Sequence, residues 1–530
     1  MLNVSSRRVL VPMMMSVCVV AAVCSACGSP KSTSGAASSP TGGPAKPVRV
    51  AVARAISSLS PTGSSEYDLQ TLGVIEMLGR PKTDTSGVEP NILSSWTQTD
   101  PTTWKLTVRP GISFQDGRAV DAQAIVDAIN VMKATNKGAT DTIATGTLSV
   151  SGPMEITLVT DKPTTEVPWD LSDPTLYPVF DAAAFQAAGN DPAKLLTAGI
   201  YTGPWVPASF SPNRLTFTAN SKYWQGRPLV SGLEIDVITD AQARVAAVQN
   251  DEIDVDLNPP DDAATTLANS SQYVYKVATM TSVSTLALFN TTQAPFDNAS
   301  VRRAIIAGTD FAELAKVAGG NFEAAGGLYP SSLPLAVNTQ TYDPATAGSL
   351  LDAAGWTMGP NGVRTKGGAS LNLTYVYSLA QGPGEGSIAV AFKDSLAKIG
   401  VDVQLKQVDN PYSAADRGPG WNIDVIGTNA EGDADPVDKS IGGFVGTGKP
   451  YNYTGVSDPA IDQALAGLGN TLDPAQRIVL DKDFERAVAA GGYAMSLGFT
   501  RLDALVTPPY KDYRVPFDPG YVPWNIHPTA

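Results

Sequence analysis

The chain has 530 residues, 43% of them hydrophobic and 17% charged, and a formal net charge of -14. That balance describes a folded chain of several domains with ample core, and its acidity lacks the basic footprint that nucleic-acid binding requires. The three cysteines, Cys18, Cys24 and Cys27, precede the rest of the chain, and the one histidine is His527 near the C-terminus. The body therefore offers no disulfide, no thiolate metal site and no cysteine nucleophile, and histidine-dependent catalysis has almost nothing to draw on. Carboxylate-pair chemistry needs no histidine and stays open as an alternative, a carboxylate-dependent hydrolase.

Arg7 and Arg8 precede an apolar run from Val9 to Val23, and Ser25, Ala26, Cys27 and Gly28 follow. A basic start, a short apolar stretch and small residues describe an export signal over residues 1–26. The run is short for a bilayer span of about 20 residues, and Pro12 interrupts it. The Ser25-Ala26-Cys27 junction resembles a bacterial lipobox, with Cys24 where leucine is usual. That resemblance implies cleavage before Cys27 and acylation of its thiol. The mature chain would then sit at the outer face of the cell membrane, or in a periplasmic space, without spanning the bilayer. Residues 27–46 are rich in Gly, Ser, Pro, Ala and Thr. They cannot bury a core, and they form a tether whose ends lie roughly 25 Å apart.

Past the tether, alternation predicts strands at Val48–Ala53, Trp104–Val108, Glu155–Val159, Arg214–Ala219 and Leu233–Ile238. A helix begins near Asp121 with Ile125, Val126, Ile129 and Met132 on one stripe. Three Asp-Pro pairs, Asp343-Pro344, Asp458-Pro459 and Asp473-Pro474, mark helix starts. At each, the carboxylate can accept orphan N–H groups and proline suits the first turn. The third of these helices carries Ile478, Val479, Phe484 and Val488 as its apolar positions. Strands over 371–377 and 401–408 flank a helix from Ser387 to Ile399, with Ile388, Val390, Ala391, Leu396 and Ile399 toward one side and Gly400 at its end. Strand, helix, strand at this spacing is a βαβ unit, and the whole pattern is α/β. No short repeat is present, and neither is a phosphate-binding loop, a dinucleotide fingerprint or a nucleophile elbow in its proper context. The chemistry is recognition, and no cofactor is implied.

Five stretches, in order, resemble the family-5 extracellular solute-binding proteins of peptide and nickel ABC importers. They are Trp96–Val108 followed by RPGISFQDGRAVDAQAIVDAI, TGPWVPASFSPNRLTFTANSKYWQGRP from Thr202, ITDAQARVAAVQNDEID from Ile238, LFNTTQAPFDNASVRRAIIAGTDFAEL from Leu288, and YDPATAGSLLDAAGW from Tyr342. Most of these residues are expected to serve the fold. Gly203-Pro204-Trp205 and Asn220–Trp224 would form turns and aromatic packing, Asp116-Gly117 a turn, and Asp297, Arg302 and Arg303 the helix that starts near Asn298.

The resemblance implies a two-lobed periplasmic-binding-protein-like fold (type II, cluster C) with an extra small domain. Lobe I would comprise residues 47–80, 196–283 and 500–530, the extra domain 81–195, and lobe II 284–499. It implies a monomer that closes over an extracellular oligopeptide or dipeptide and passes it to an ABC permease. In such proteins an aspartate after a strand meets the peptide α-ammonium. The matching stretch here is Gly427, Thr428 and Asn429 followed by Glu431 and Asp433, either of which can take that role; Ser64 and Ser65, in a polar turn over 63–68, are further ligand-binding candidates. The loop 378–387 lacks the arginine that clamps a dipeptide carboxylate in some relatives, and Arg364 or Arg417 could replace it. That absence favours longer peptides or another solute, such as glutathione, an opine, an oligosaccharide or a metal chelate. A surface adhesion module is a further alternative.

Overall fold

The computed structural model describes residues 46–529 apart from the segments 63–65, 83–86, 136–141, 174–175, 258, 261, 280–282, 380–383, 430–440, 450 and 516–521. The strands that organise it are β1 (Val48–Val52), β2 (Leu93–Asp100), β3 (Thr103–Val108), β4 (Thr147–Gly152), β5 (Glu155–Val159), β6 (Trp205–Ser211), β7 (Arg214–Ala219), β8 (Gly232–Val237), β9 (Val255–Asp256), β10 (Val274–Val277), β11 (Val283–Phe289), β12 (Phe322–Ala324), β13 (Asn372–Tyr377), β14 (Asp402–Gln407), β15 (Ile423–Asn429), β16 (Ala494–Thr500) and β17 (Asp503–Val506). A first sheet runs β6-β7-β8-β1-β9-β17-β10 and a second β12-β16-β11-β15-β13-β14, while β2-β3-β5-β4 form a separate antiparallel sheet. The helices that matter below are α1 (Ala122–Thr135), α2 (Val167–Asp170), α3 (Ala299–Gly308), α4 (Pro344–Ala353), α5 (Glu385–Ala397), α6 (Pro459–Leu468) and α7 (Pro474–Gly491).

The α/β expectation holds, and so does the βαβ unit: β13 and β14 pair in parallel from Asn372↔Asp402 to Tyr377↔Gln407, with α5 between them in sequence. The three Asp-Pro signals act as the chemistry requires. Asp343 accepts from the amides of Ala345 and Thr346, Asp458 from Ala460, and Asp473 from Ala475 and Gln476. Asp121 accepts from Ala124 N at 2.9 Å, and α1 buries Ile125, Val126, Ile129 and Met132. Val390, expected on the apolar side of α5, faces outward, and so does the apolar Val479 of α7. Val390 is 52% exposed and Val479 56%. The buried stripe of α5 is Ile388, Ala389, Phe392 and Leu396, and that of α7 is Arg477, Asp481, Phe484 and Val488. Two residues of helix turn a side chain by about 200°, so Val390 lies opposite Ile388 and Val479 opposite Arg477. In α7 a buried arginine and aspartate hold positions that an apolar pattern would have filled.

The long motifs serve the fold, as their bland reading expects. Asn220 Nδ2 donates to Gly203 O at 3.1 Å, Trp205 Nε1 to Val522 O at 3.2 Å, and Tyr223 Oη and Trp224 Nε1 both donate to the buried Glu76 carboxylate. Arg302 ties α3 to the end of α7 through Gly491 O at 2.7 Å and reaches Phe296 O at 2.5 Å. Gly203 is required by space: a Cβ there would sit 2.2 Å from Gly73 O and 2.5 Å from Val74 O, both backbone atoms. Gly203→Ala is therefore expected to destabilise the protein by about 2 kcal/mol or more, read as a lower urea midpoint with an unchanged slope.

Candidate functional site

Strand polarity shows where a candidate site can lie. In the first sheet β1 runs parallel to β8 and β9, so their carboxyl ends, Val52, Val237 and Asp256, share one rim. The antiparallel partners β17 and β10 bring Asp503 and Val277 to that same rim. In the second sheet β11 pairs with β15 and β16 so that Val283, Asn429 and Thr500 share a rim, and the parallel β13 and β14 end there at Tyr377 and Gln407. The chain passes between these two rims twice, once from β10 to β11 and once from β16 to β17 through Arg501 and Leu502. Ala278 N donates to Leu502 O at 2.8 Å, stitching the two crossings together. The carboxyl ends of parallel strands in both sheets thus lead into the crossings, which is where open α/β sheets place ligand sites.

Side chains reinforce the crossings. Asn321, just before β12, donates through Nδ2 to Tyr275 Oη and to the Asp503 carboxylate. Tyr275 Oη donates to Asp503 Oδ2 at 2.6 Å. Burial first, and then Asp503, push the Tyr275 hydroxyl well above its ordinary pKa, so it stays a donor. Arg501 pairs with Glu323 at 2.5 Å.

Of the residues singled out from the sequence, Gly427 and Thr428 lie at the carboxyl end of β15, where Gly427 pairs with Thr285 and Thr428 with Ser284. Tyr412 Oη donates to Gly427 O at 2.5 Å, and the Tyr412 side chain is otherwise exposed. Asn429 ends the strand, opposite Val283. Ser64, Ser65, Glu431, Asp433 and Cys27 lie outside the described residues. Neither substitute for a carboxylate clamp is free for that role. Arg364 donates to Ile399 O, Trp356 O and Asp352, and Arg417 Nη1 donates to Pro411 O and faces Asp424 at 3.5 Å. Both arginines are 5% exposed.

Two buried polar groups near this rim escaped the sequence reading. Glu385 opens α5, is 1% exposed, and accepts from Thr285 Oγ1 at 3.1 Å, while its second oxygen has no hydrogen-bond partner among the described residues. Tyr375 Oη, on β13, is likewise buried without one. Burial raises the Glu385 carboxyl to about 7 against the opposing Thr285 bond. On the other face of β15, Asp424 accepts from Tyr453 Oη at 2.9 Å, and the Arg417 guanidinium lies 3.8 Å over the Tyr453 ring. Burial raises Asp424 to about 7 as well, outweighing the Tyr453 bond and Arg417. Glu385 was visible in the sequence as an acid two residues before the helix expected from Ser387. Its burial was not, because that depends on β11 passing beneath it.

A family model described as "Bacterial extracellular solute-binding proteins, family 5 Middle" matches residues 87–452. The chain belongs to this family. Membership makes it a solute-binding protein and not an enzyme. Among similar proteins is the "Nickel-binding periplasmic protein" of Escherichia coli (strain K12), 27% identical over 334 residues, 60% of this chain and 63% of that one. The "Di/tripeptide-binding protein 2" of Pseudomonas aeruginosa (strain UCBPP-PA14) is 29% identical over 299 residues, 54% of this chain and 53% of that one. The chain thus spans less than two thirds of these two relatives' length. The crystal structure of NikA from Brucella suis in complex with Fe(III)-EDTA superposes with a TM-score of 0.80 at 21% identity, covering 91% of this chain and 99% of that one. That likeness shows the family-5, two-lobed binding-protein fold. Among the described residues, no helix is long and apolar enough to cross a membrane.

The raised carboxyls give the family-5 protein a defined pH response. A carboxyl that titrates higher in the folded chain binds its proton more tightly there than when unfolded. Its contribution is present below the ordinary pKa of 4.5 and is lost as pH rises toward about 7. Glu385→Gln is expected to flatten this fall and to raise stability above pH 7 by roughly 1–3 kcal/mol, measured as melting temperature across pH 4–8.

Proposed function

We propose that the chain is the ligand-capturing lipoprotein of an ABC importer, closing over extracellular peptides and delivering them to a membrane permease. The observation that carries this reading is the pair of strand rims leading into a double crossing. Two sheets whose chain connections are short strand-to-strand crossings can rotate about them and trap a solute between their carboxyl ends. In this reading residues 47–80, 196–283 and 500–530 form lobe I, 81–195 an extra domain and 284–499 lobe II. Thr428 and the main chain of Asn429 stand at the rim. Glu431 or Asp433, which follow β15 in sequence, anchors the ligand's ammonium; a carboxylate there gains strength as closure excludes water. Arg364 and Arg417 are engaged inside the fold, so neither is in hand as a clamp for a dipeptide carboxylate, which favours peptides longer than two residues.

The "Di/tripeptide-binding protein 2" relative supports a peptide ligand. The nickel-binding relative supports a second reading, in which the same cleft carries a metal as an intact chelate. A chelate suits a chain with one histidine, since the ligands then come with the metal. Calorimetry with tri- to pentapeptides, glutathione and nickel-histidine separates these readings. Glu431→Ala or Asp433→Ala is expected to weaken peptide binding roughly 10- to 100-fold with the melt unchanged. Unchanged affinity in both variants removes the ammonium anchor.

The membrane attachment stands on Cys27 and has its own test. Cys27→Ala is expected to move the protein from the membrane fraction to the soluble fraction after cell disruption. Retention in the membrane would exclude a lipid anchor at this residue.

A further inference from the structure

The first sheet and the four-stranded sheet share one apolar core, running from Val48 and Leu233 to Trp104 and Leu158. The second sheet has its own cores, one on each face. Motion at the crossings therefore moves two separately packed bodies, and it must break whatever else joins them. A second bridge does join them, made by elements that neither crossing uses. It connects the segment leading into α2, in the first body, with the turn between α6 and α7 in the second.

Thr165 N donates to Gly469 O at 2.9 Å, and Thr165 Oγ1 donates to Leu468 O at 3.1 Å. These acceptors are the last carbonyl of α6 and that of its C-cap, which a helix leaves without internal partners. Arg477, on α7, gathers the same turn from within its own body, donating to Leu468 O at 2.7 Å and Thr471 O at 2.9 Å. Its guanidinium lies 4.3 Å over the Trp169 ring and 4.0 Å from Glu166 Oε1, both in the first body. Thr165, Glu166 and Arg477 are each less than a tenth exposed, so the seam excludes water.

We infer that this seam is a reversible latch that holds the cleft shut. The inference rests on reading the crossings as a hinge. The seam is small and polar, and its parts remain satisfied when it parts. The α6 carbonyls can turn to water, Arg477 keeps its two carbonyls, and Glu166 and Arg477 regain hydration as they separate. A cation over an aromatic face, the Glu166–Arg477 ion pair and the hydrogen bonds of Thr165 favour closure without making it permanent. Part of the free energy of closure is then built into the protein and need not come from the ligand, so the latch sets how long a bound solute is retained.

Native-state hydrogen exchange on the full protein without ligand tests this, because the Thr165 amide is protected only while the bodies touch. Arg477→Gln, a change in the second body, is expected to lower protection of that amide in the first by on the order of tenfold, with β2–β5 unaffected. Equal protection in the variant and the parent would overturn the latch. A second variant covers the case in which Arg477→Gln perturbs its own helix turn. Thr165→Cys combined with Gly469→Cys joins residues whose backbones are hydrogen-bonded, and mild oxidation is expected to link them in the folded protein, mapped by peptide mass spectrometry. Absence of the link in protein with native circular dichroism would also overturn it. Neither readout involves a ligand, so a wrong assignment of the bound solute leaves both results standing.

Discussion

The antiparallel pairing of β17 with β9 and β10, and of β16 with β11, is the constraint from which the rest of the architecture follows. Because β16 and β17 are separated by two residues only, the rim of one sheet must face the rim of the other. The parallel strands of each sheet then present their carboxyl ends to the crossing, with the loops that follow them. A different direction for β17 would turn the first sheet end for end and send those loops away from the second. The position of the candidate site is thus a consequence of strand direction before any individual side chain is considered.

The polar interior divides between rigidity and motion. Within each body, buried charges are tied down by several partners: Arg302 at the junction of α3 and α7, Arg364 behind α5, and the Asp424–Arg417–Tyr453 cluster under β15. Such groups are costly to separate once buried. Among the described residues, the bonds named here between the bodies lie mostly at chain turns and helix ends, where water is an adequate replacement. Asn321 with Tyr275 and Asp503 guards the crossings, and Thr165 with Arg477 joins the other seam. A solute-binding protein needs this contrast, because its lobes must keep their shape while the angle between them changes.

Much of the local structure was legible from the amino acids because it depends on short-range chemistry. An aspartate before a proline caps a helix whatever surrounds it, and Asp343, Asp458 and Asp473 all do so. Alternation placed β5 and β7 at their observed bounds, and the helix and two strands around Ser387 to within two residues. Periodicity failed where burial was polar. Val390 is expected to face inward because apolar residues usually do, yet it is exposed, and α7 turns Arg477 and Asp481 toward its neighbours while Val479 faces out. Glu385 was likewise invisible as a buried group, since its partner Thr285 is one hundred residues away.

By itself the sequence determined the class of the protein: α/β elements in a recognisable order, a body without cysteine and with one terminal histidine, and long motifs shared with family-5 solute-binding proteins. These properties reside in composition, in caps and in patterns a few residues long. Only the tertiary structure decided which rims face each other, that Arg364 and Arg417 are spent inside the fold, and that Thr165 meets the end of a helix some three hundred residues later. Such pairings join residues with no local relation. They arise from the packing of whole sheets and helices, for which no short stretch of sequence carries a signal.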